Sequence, residues 1–328
     1  MKPIRAYGFA VLLACFAVCA WGCSSPARGA RTQEVPAPPE IQFVGAWGSQ
    51  GIGPGLLNEP RSIAADDFAA VYLADVSATS RFINKFTRGG HPLQSFEPLV
   101  QLRNPCAATV DRGGAIYILD CGAAALYVFK PEGNLLHVIR GGLTVAAKPA
   151  SVTVDDSGRI YVAEAGPKHI LVYTPLGRSL GALRGAASGP ISGDAVAASP
   201  DGGIYVADPE RRTIERISSQ GSVDNSWTWS GAGASGAVIP ASGSENAAGA
   251  ICYLAVAPKF VVLFTGPATS ATLHVFTLDG QEKRTAQLSE LDPSLTNISV
   301  GGSAATPDGE VLVLDTAVPR VLRFRLIL

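Results

Sequence analysis

From residue 60 onward, short apolar runs alternate with tight polar turns. One unit shows the layout: ASVTV (150–154), the turn DDSG (155–158), then IYVA (160–163), ILVY (170–173) and SLGAL (179–183). Runs of this length, rich in Val, Ile and Tyr and bounded by Asp and Gly, read as β-strands joined by hairpin turns. Asp there supplies side-chain hydrogen bonds to the turn backbone, and Gly supplies positive φ. The second runs, IYIL (116–119) and IYVA (160–163), are apolar at every position. A sheet with one wet face would alternate, so these strands predict sheets covered on both faces.

The unit repeats. Four segments share it clearly: PRSIAADDFAAVYLADVSATSRFINKF (60–86), PCAATVDRGGAIYILDCGAAALYVFK (105–130), PASVTVDDSGRIYVAEAGPKHILVY (149–173) and GDAVAASPDGGIYVADPERRTIERI (193–217). A fifth (250–276) is degenerate and a sixth (302–324) ends the chain. An acid closes the second strand at Asp75, Asp120, Glu164, Asp208 and Asp315, with Phe264 read as its counterpart in the fifth unit. Tyr72, Tyr117, Tyr161 and Tyr205 keep the same period. Four-stranded sheets stacked face to face around an axis cover both faces of each sheet. The sixth unit holds only three strands, and IQFVGAW (41–47) is an orphan strand before the first. The prediction is all-β: a six-bladed β-propeller of four-stranded antiparallel blades over 41–328, closed by that N-terminal strand.

The run WGSQGIGPG (47–55), then NEP (58–60), IAAD (63–66) and VYLAD (71–75), resembles an NHL repeat, most clearly over 60–217. The resemblance implies a propeller and leaves function open, since NHL propellers include enzymes, scaffolds and nucleic-acid binders. It also implies that the glycine-rich stretch 48–55 is the connection into the first blade; no helix follows it to form a phosphate loop.

Composition adds an address. Only 16% of the 328 residues are charged, Lys and Arg number 26 against 27 acids, and the net charge is −1. That excludes nucleic-acid binding through a strongly basic surface. Lys2 and Arg5 precede the apolar stretch FAVLLACFAVCAW (9–21), too short to span a bilayer comfortably and of the form of a secretory signal. The run AWGC (20–23) resembles the lipobox of bacterial lipoproteins. The resemblance implies removal of 1–22 and a diacylglycerol on Cys23, and Ser24 implies the outer membrane. The alternative is conventional cleavage nearby, with Cys23 an ordinary cysteine. Residues 23–40, rich in Ser, Pro, Ala and charge, read as a lipidated flexible tether.

Candidate chemistry is sparse. The acid series has two readings: caps on the backbone amides of the following turn, or a cation ring broken at Phe264. Of the four histidines, His91 falls in a turn, His137 in a fourth strand, His169 before a third strand and His274 within one, none on an innermost strand. NHL lyases hold a metal with His near the channel, and that set is missing here. The first strands offer small residues to the axis: Ala64, Ala107, Thr109, Ser151, Thr153, Ala195, Ala197 and Ala304. Pairing about the 111–114 turn sets Cys106 nearly opposite Cys121, with Cα atoms about 4.5 Å apart, and an oxidising compartment favours a disulfide over two buried thiols. Cys252 is expected free and buried. Trp227 and Trp229 read as packing, or one as a partner contact. Strand starts and second-to-third-strand turns share one face, which places Arg61, Arg103, Lys148, His169, Arg211 and Arg212 near a common rim. The long connection 230–249 on that face is either a spacer or part of a recognition surface.

These features favour binding over catalysis. The expected role is an envelope-anchored binding or scaffold module, without cofactor, that presents its rim to a protein or envelope polymer. A hydrolase or lyase resembling lactonase propellers, with an unrecognised metal site, is the alternative. A purely structural envelope protein is a third class.

Overall fold

The computed structural model describes residues 40–78, 81–185, 189–199, 201–229 and 250–327. The signal segment 1–22, Cys23, all of the tether except residue 40, and the connection 230–249 lie outside them. Six four-stranded sheets account for nearly all the described chain. Blade 1 comprises Pro60–Ala65, Val71–Val76, Arg81–Phe86 and Pro92–Phe96, and blade 2 Pro105–Val110, Ile116–Asp120, Ala125–Phe129 and Leu135–Ile139. Blade 3 comprises Pro149–Val154, Ile160–Glu164, His169–Tyr173 and Ser179–Ala182, and blade 4 Ala195–Ala198, Ile204–Asp208, Thr213–Ile217 and Val223–Thr228. Blade 5 comprises Ala250–Ala257, Phe260–Pro267, Thr272–Thr277 and Glu282–Gln287. Blade 6 takes three strands from the C-terminus, Val300–Ala305, Glu310–Asp315 and Arg320–Ile327, and its outer strand from Glu40–Trp47.

The closing strand pairs antiparallel with Arg320–Ile327 from Glu40↔Ile327 to Trp47↔Val321, with one bulge between Phe43 and Gly45. The Phe43 ring meets Phe324 across the ladder at 5.6 Å between centroids. It begins one residue earlier than the sequence suggested, at Glu40.

Apolar burial occurs between blades, as two-sided strands require. Six clusters of buried side chains sit at the six junctions, from blades 1 and 2 (Tyr72, Ile83, Ile118, Phe129) round to blades 6 and 1 (Leu312, Leu314, Ile63, Leu73). One contact recurs. The outer strand of a blade lays a large side chain over the glycine of the third-to-fourth-strand turn of the next: Trp47 on Gly90, Phe96 on Gly133, Ile139 on Gly177 and Trp227 on Gly280. Trp47 thus stands in the place of an outer-strand residue of blade 6. Trp227 also packs against Tyr205 and Phe276, and Trp229 is buried, so both are packing residues.

The tyrosine period has a local cause. In blades 1 to 3 the hairpin aspartate accepts turn amides on Oδ1, while Oδ2 accepts the tyrosine hydroxyl: Tyr72 to Asp66 at 2.9 Å, Tyr117 to Asp111 at 3.0 Å and Tyr161 to Asp155 at 2.9 Å. In blade 4 Ser199 replaces the aspartate, and Tyr205 donates instead to the Leu278 carbonyl at 3.1 Å.

Cys106 and Cys121 form the expected disulfide, and Cys252 is free and buried. The register differs from simple hairpin counting. Pro105 faces Asp120 and Ala107 faces Leu119, so Cys106 is the extra residue of a β-bulge. The Cα atoms are 5.8 Å apart rather than directly opposed, within the usual disulfide range.

Two outcomes follow. Gly280 has φ +92°, and an added Cβ would lie 2.5 Å from Trp227 Cδ2; Gly280→Ala is expected to cost about 3 kcal/mol of unfolding free energy in urea titration, from backbone strain and overpacking. The disulfide spans 15 residues, so Cys106→Ala/Cys121→Ala should lose about 3 kcal/mol at most on the chain-entropy account, and reductant should lower the wild-type midpoint but not the variant's.

Candidate functional site

Two places could carry function: the axial channel and the rim where first strands begin. The first strands enclose a channel of about 320 Å³. Ala64, Ala107, Thr109, Ser151, Thr153, Ala197 and Ala304 line it as expected, whereas Ala195 is buried in the junction of blades 4 and 5. Tyr253 adds a ring that the repeat did not reveal, because blade 5 is degenerate there. None of the four histidines lines the channel. Among the described residues no group of three or more His, Cys, Asp or Glu is placed to hold a metal ion.

The strand-closing acids are fasteners, and they do more than cap the following turn. Asp120 accepts from Ala123 N in that turn at 2.9 Å, but also from Arg103 N and Asn104 N at 2.6 and 3.0 Å, in the segment entering the first strand. Asp75 accepts from Asn58 N and Glu59 N, both at 2.7 Å. Asp315 accepts from Ser299 N and Ala317 N, both at 3.0 Å. Asp208 accepts from Glu210 N at 3.0 Å and from the Ser192 hydroxyl at 3.0 Å. In blade 5 the residue at this level is Thr265, not Phe264: Phe264 pairs with Tyr253, as Ala207 does with Ala195.

Glu164 breaks the pattern. One methylene longer than Asp, it makes none of these amide contacts. Its Oε1 has no hydrogen-bond partner, and its Oε2 lies 3.1 Å from His169 Nδ1. The residue is 1% exposed. Burial pushes its carboxyl up to about 7. Asp194, at the entry to blade 4, is a second such group. It is buried with Oδ1 unpartnered, and desolvation raises its carboxyl to about 6 against the pull of Lys168. Burial also pushes the Cys252 thiol up, helped by Asp194 and Asp208. A Glu among Asp residues was a readable signal at 164. Asp194 carried none, since Arg61, Cys106 and Ala150 occupy its place in other blades.

The six rim residues lie at the predicted level, spread over blades 1 to 4. Arg61 is the second residue of the first strand of blade 1 and pairs with Glu59 at 2.9 Å. Arg103 and Lys148 precede the first strands of blades 2 and 3, both exposed, Lys148 with φ +51°. His169 begins the third strand of blade 3. Arg211 and Arg212 occupy the corresponding turn of blade 4, where Arg211 lies 3.6 Å from Asp208. Lys168 bridges blades 3 and 4 by meeting Glu210, and lies 3.9 Å from Asp208. The rim is a row of separate polar stations rather than one patch.

No family model and no curated protein matches the chain. Solved structures do. A streptogramin B lyase structure is 12% identical with TM-score 0.54, covering 88% of this chain and 98% of that one. A catalytically inactive histidine-to-alanine variant of virginiamycin B lyase from Staphylococcus aureus with quinupristin is 12% identical with TM-score 0.59, covering 88% of this chain and 100% of that one. The selenomethionine-substituted form of that enzyme gives TM-score 0.53 at 12% identity, covering 88% of this chain and 100% of that one. At this identity the likeness establishes the fold alone.

The Glu164 shift fixes the sign of a pH effect. A carboxyl whose folded pKa lies above its unfolded value, about 4.3, contributes stability below that value and loses it as pH rises through about 7. Glu164→Gln should match wild type at pH 4 and be the more stable at pH 8, measured by urea unfolding across that range. A constant difference at all pH values would contradict the assignment.

Proposed function

We propose that the chain is a binding module of a bacterial cell envelope, carried by a lipid on Cys23. It presents the rim of Arg61, Arg103, Lys148, His169, Arg211 and Arg212 to a protein or envelope polymer. One contrast supports this reading. Between its two ends the channel wall is small or apolar, Ala, Ser, Thr, Gly and Val with Leu254 and the Tyr253 ring, while charged groups gather at the mouths: Asp66, Asp67, Asp111, Arg112, Asp155 and Asp156 at the hairpin end, and the predominantly basic stations on the opposite rim. Virginiamycin B lyase is inactive when a histidine is replaced by alanine. Here the histidines stand in a turn (His91), an outer strand (His137), the rim (His169) and a third strand (His274). Rigid display is the mechanism: ring closure fixes the spacing of the stations, so little ordering is left for the moment of binding.

A second reading, a hydrolase or lyase, is favoured by one feature. Glu164, buried with its carboxyl pushed up to about 7, stands on the same rim with Oε2 3.1 Å from His169 Nδ1, which makes it a candidate general acid or base at neutral pH.

Full-length protein, cross-linked in envelope extract, should capture a partner saturably. The variant Arg103→Glu/Lys148→Glu/Arg211→Glu should lose at least tenfold of that capture with unchanged thermal stability. Equal capture by both proteins would refute the rim reading. Incorporation of labelled fatty acid, abolished in Cys23→Ser, tests the anchor, and a stoichiometric metal in the purified protein would shift support to the enzyme.

A further inference from the structure

Most arginines whose side chains are described meet a carboxylate. Arg112 pairs with Asp156 at 2.7 Å, Arg320 with Asp315 at 2.9 Å, and Arg323 and Arg325 share Glu310 at 2.8 Å. Arg103 and Arg140 are among those that do not. Both line one cleft formed by blade 2 and the segment that enters it, and neither guanidinium meets a carboxylate among the described residues. Guanidinium groups stay charged at any physiological pH, so two of them facing one cavity make a strongly cationic recess.

The recess is built rather than incidental. The segment carrying Arg103 is clamped by its amide and that of Asn104 on Asp120, by Cys121 N donating to Asn104 O at 2.9 Å, and by the adjoining disulfide. Gly122 packs against it, and a Cβ there would stand 3.2 Å from Arg103 Cβ. Asp120, the carboxylate that holds this segment, is fully buried and its oxygens are taken by three backbone amides, which leaves the guanidinium side chains to other ligands. On the opposite wall the Arg140 guanidinium lies over the Tyr127 ring, 5.8 Å from its centroid, and an Nη2 hydrogen points to the Tyr127 hydroxyl at 3.5 Å. Tyr127 is buried, so this stacking holds Arg140 over a fixed platform. The hydroxyl keeps its own hydrogen to donate.

The remaining walls narrow the ligand. Gln101 adds an amide, and Val100 and Val138 supply apolar surface beside the charges. The planar fork of a guanidinium matches a carboxylate in bidentate geometry, and apolar surface next to it rewards a hydrocarbon tail. We propose that this cleft, between blade 2 and the segment entering it, binds a carboxylate bearing a short aliphatic group. The carboxylate lies between Arg103 and Arg140, and the tail rests on Val100 and Val138. This site goes beyond the rim reading and stands whether or not the rim holds a macromolecule.

Calorimetric titration of the full-length protein with butyrate, butyramide and inorganic phosphate tests it. Butyrate should bind saturably at one site, with butyramide at least tenfold weaker and phosphate weaker than butyrate. Arg103→Gln and Arg140→Gln should each weaken butyrate about tenfold; both side chains are exposed, so thermal midpoints should hold and separate lost binding from lost folding. Absence of saturable butyrate binding, equal binding to the double variant, or phosphate binding as tight as butyrate would overturn the proposal.

Discussion

Each blade of this protein is a sheet with apolar residues on both faces, and such a sheet is stable only when another sheet lies against each side. A linear stack cannot satisfy that at its two ends. A ring can, and six clusters of buried side chains, one per junction, show the ring shut. Everything placed on the rim or along the axis inherits its position from that closure. The blades also lock in register: a ring or branched chain on one outer strand settles on a bare glycine of the next blade, as Phe96 does on Gly133. A sheet cannot slide past its neighbour without driving that side chain into backbone.

The polar groups serve the same geometry. Asp66, Asp111 and Asp155 tie the hairpins at one end of the blades. Asp75, Asp120 and Asp315 fasten the incoming connections at the other. Carboxylates used in this way are consumed by backbone amides and leave little free negative charge beside them. That is why Glu164, which fails to make those bonds, and Arg103, whose backbone is bound by Asp120 while its side chain is not, stand out as groups with unspent chemistry.

The blade count, the closing strand, the tyrosine and acid periods and the disulfide partners were all legible in the sequence, because each follows from the repeat, its spacing and its incomplete ends. Features that depend on a change of register were not. Cys106 is displaced by a bulge that counting from the turn does not register, and the second strand of blade 5 starts one residue earlier, at Phe260, so Thr265 takes the place assigned to Phe264. The second wall of the cationic cleft was also hidden. Arg140 and Tyr127 lie 37 and 24 residues beyond Arg103, at the outer strands of blade 2, and only the fold of that blade against its entry segment joins them. Tyr253 and Asp194 escaped notice for a related reason: each is the exception at its position in the repeat.

The strand that completes blade 6 brings Glu40 and Ile327 together as neighbours on adjacent strands, about one inter-strand spacing, roughly 4.8 Å, apart. Tension between those two points would load the outermost rung alone and part the ladder one hydrogen bond at a time toward Trp47. The same tension directed along the strand against the body of the molecule would load every rung at once. The direction from which the molecule is tugged, more than the strength of the tug, therefore decides whether the circle opens.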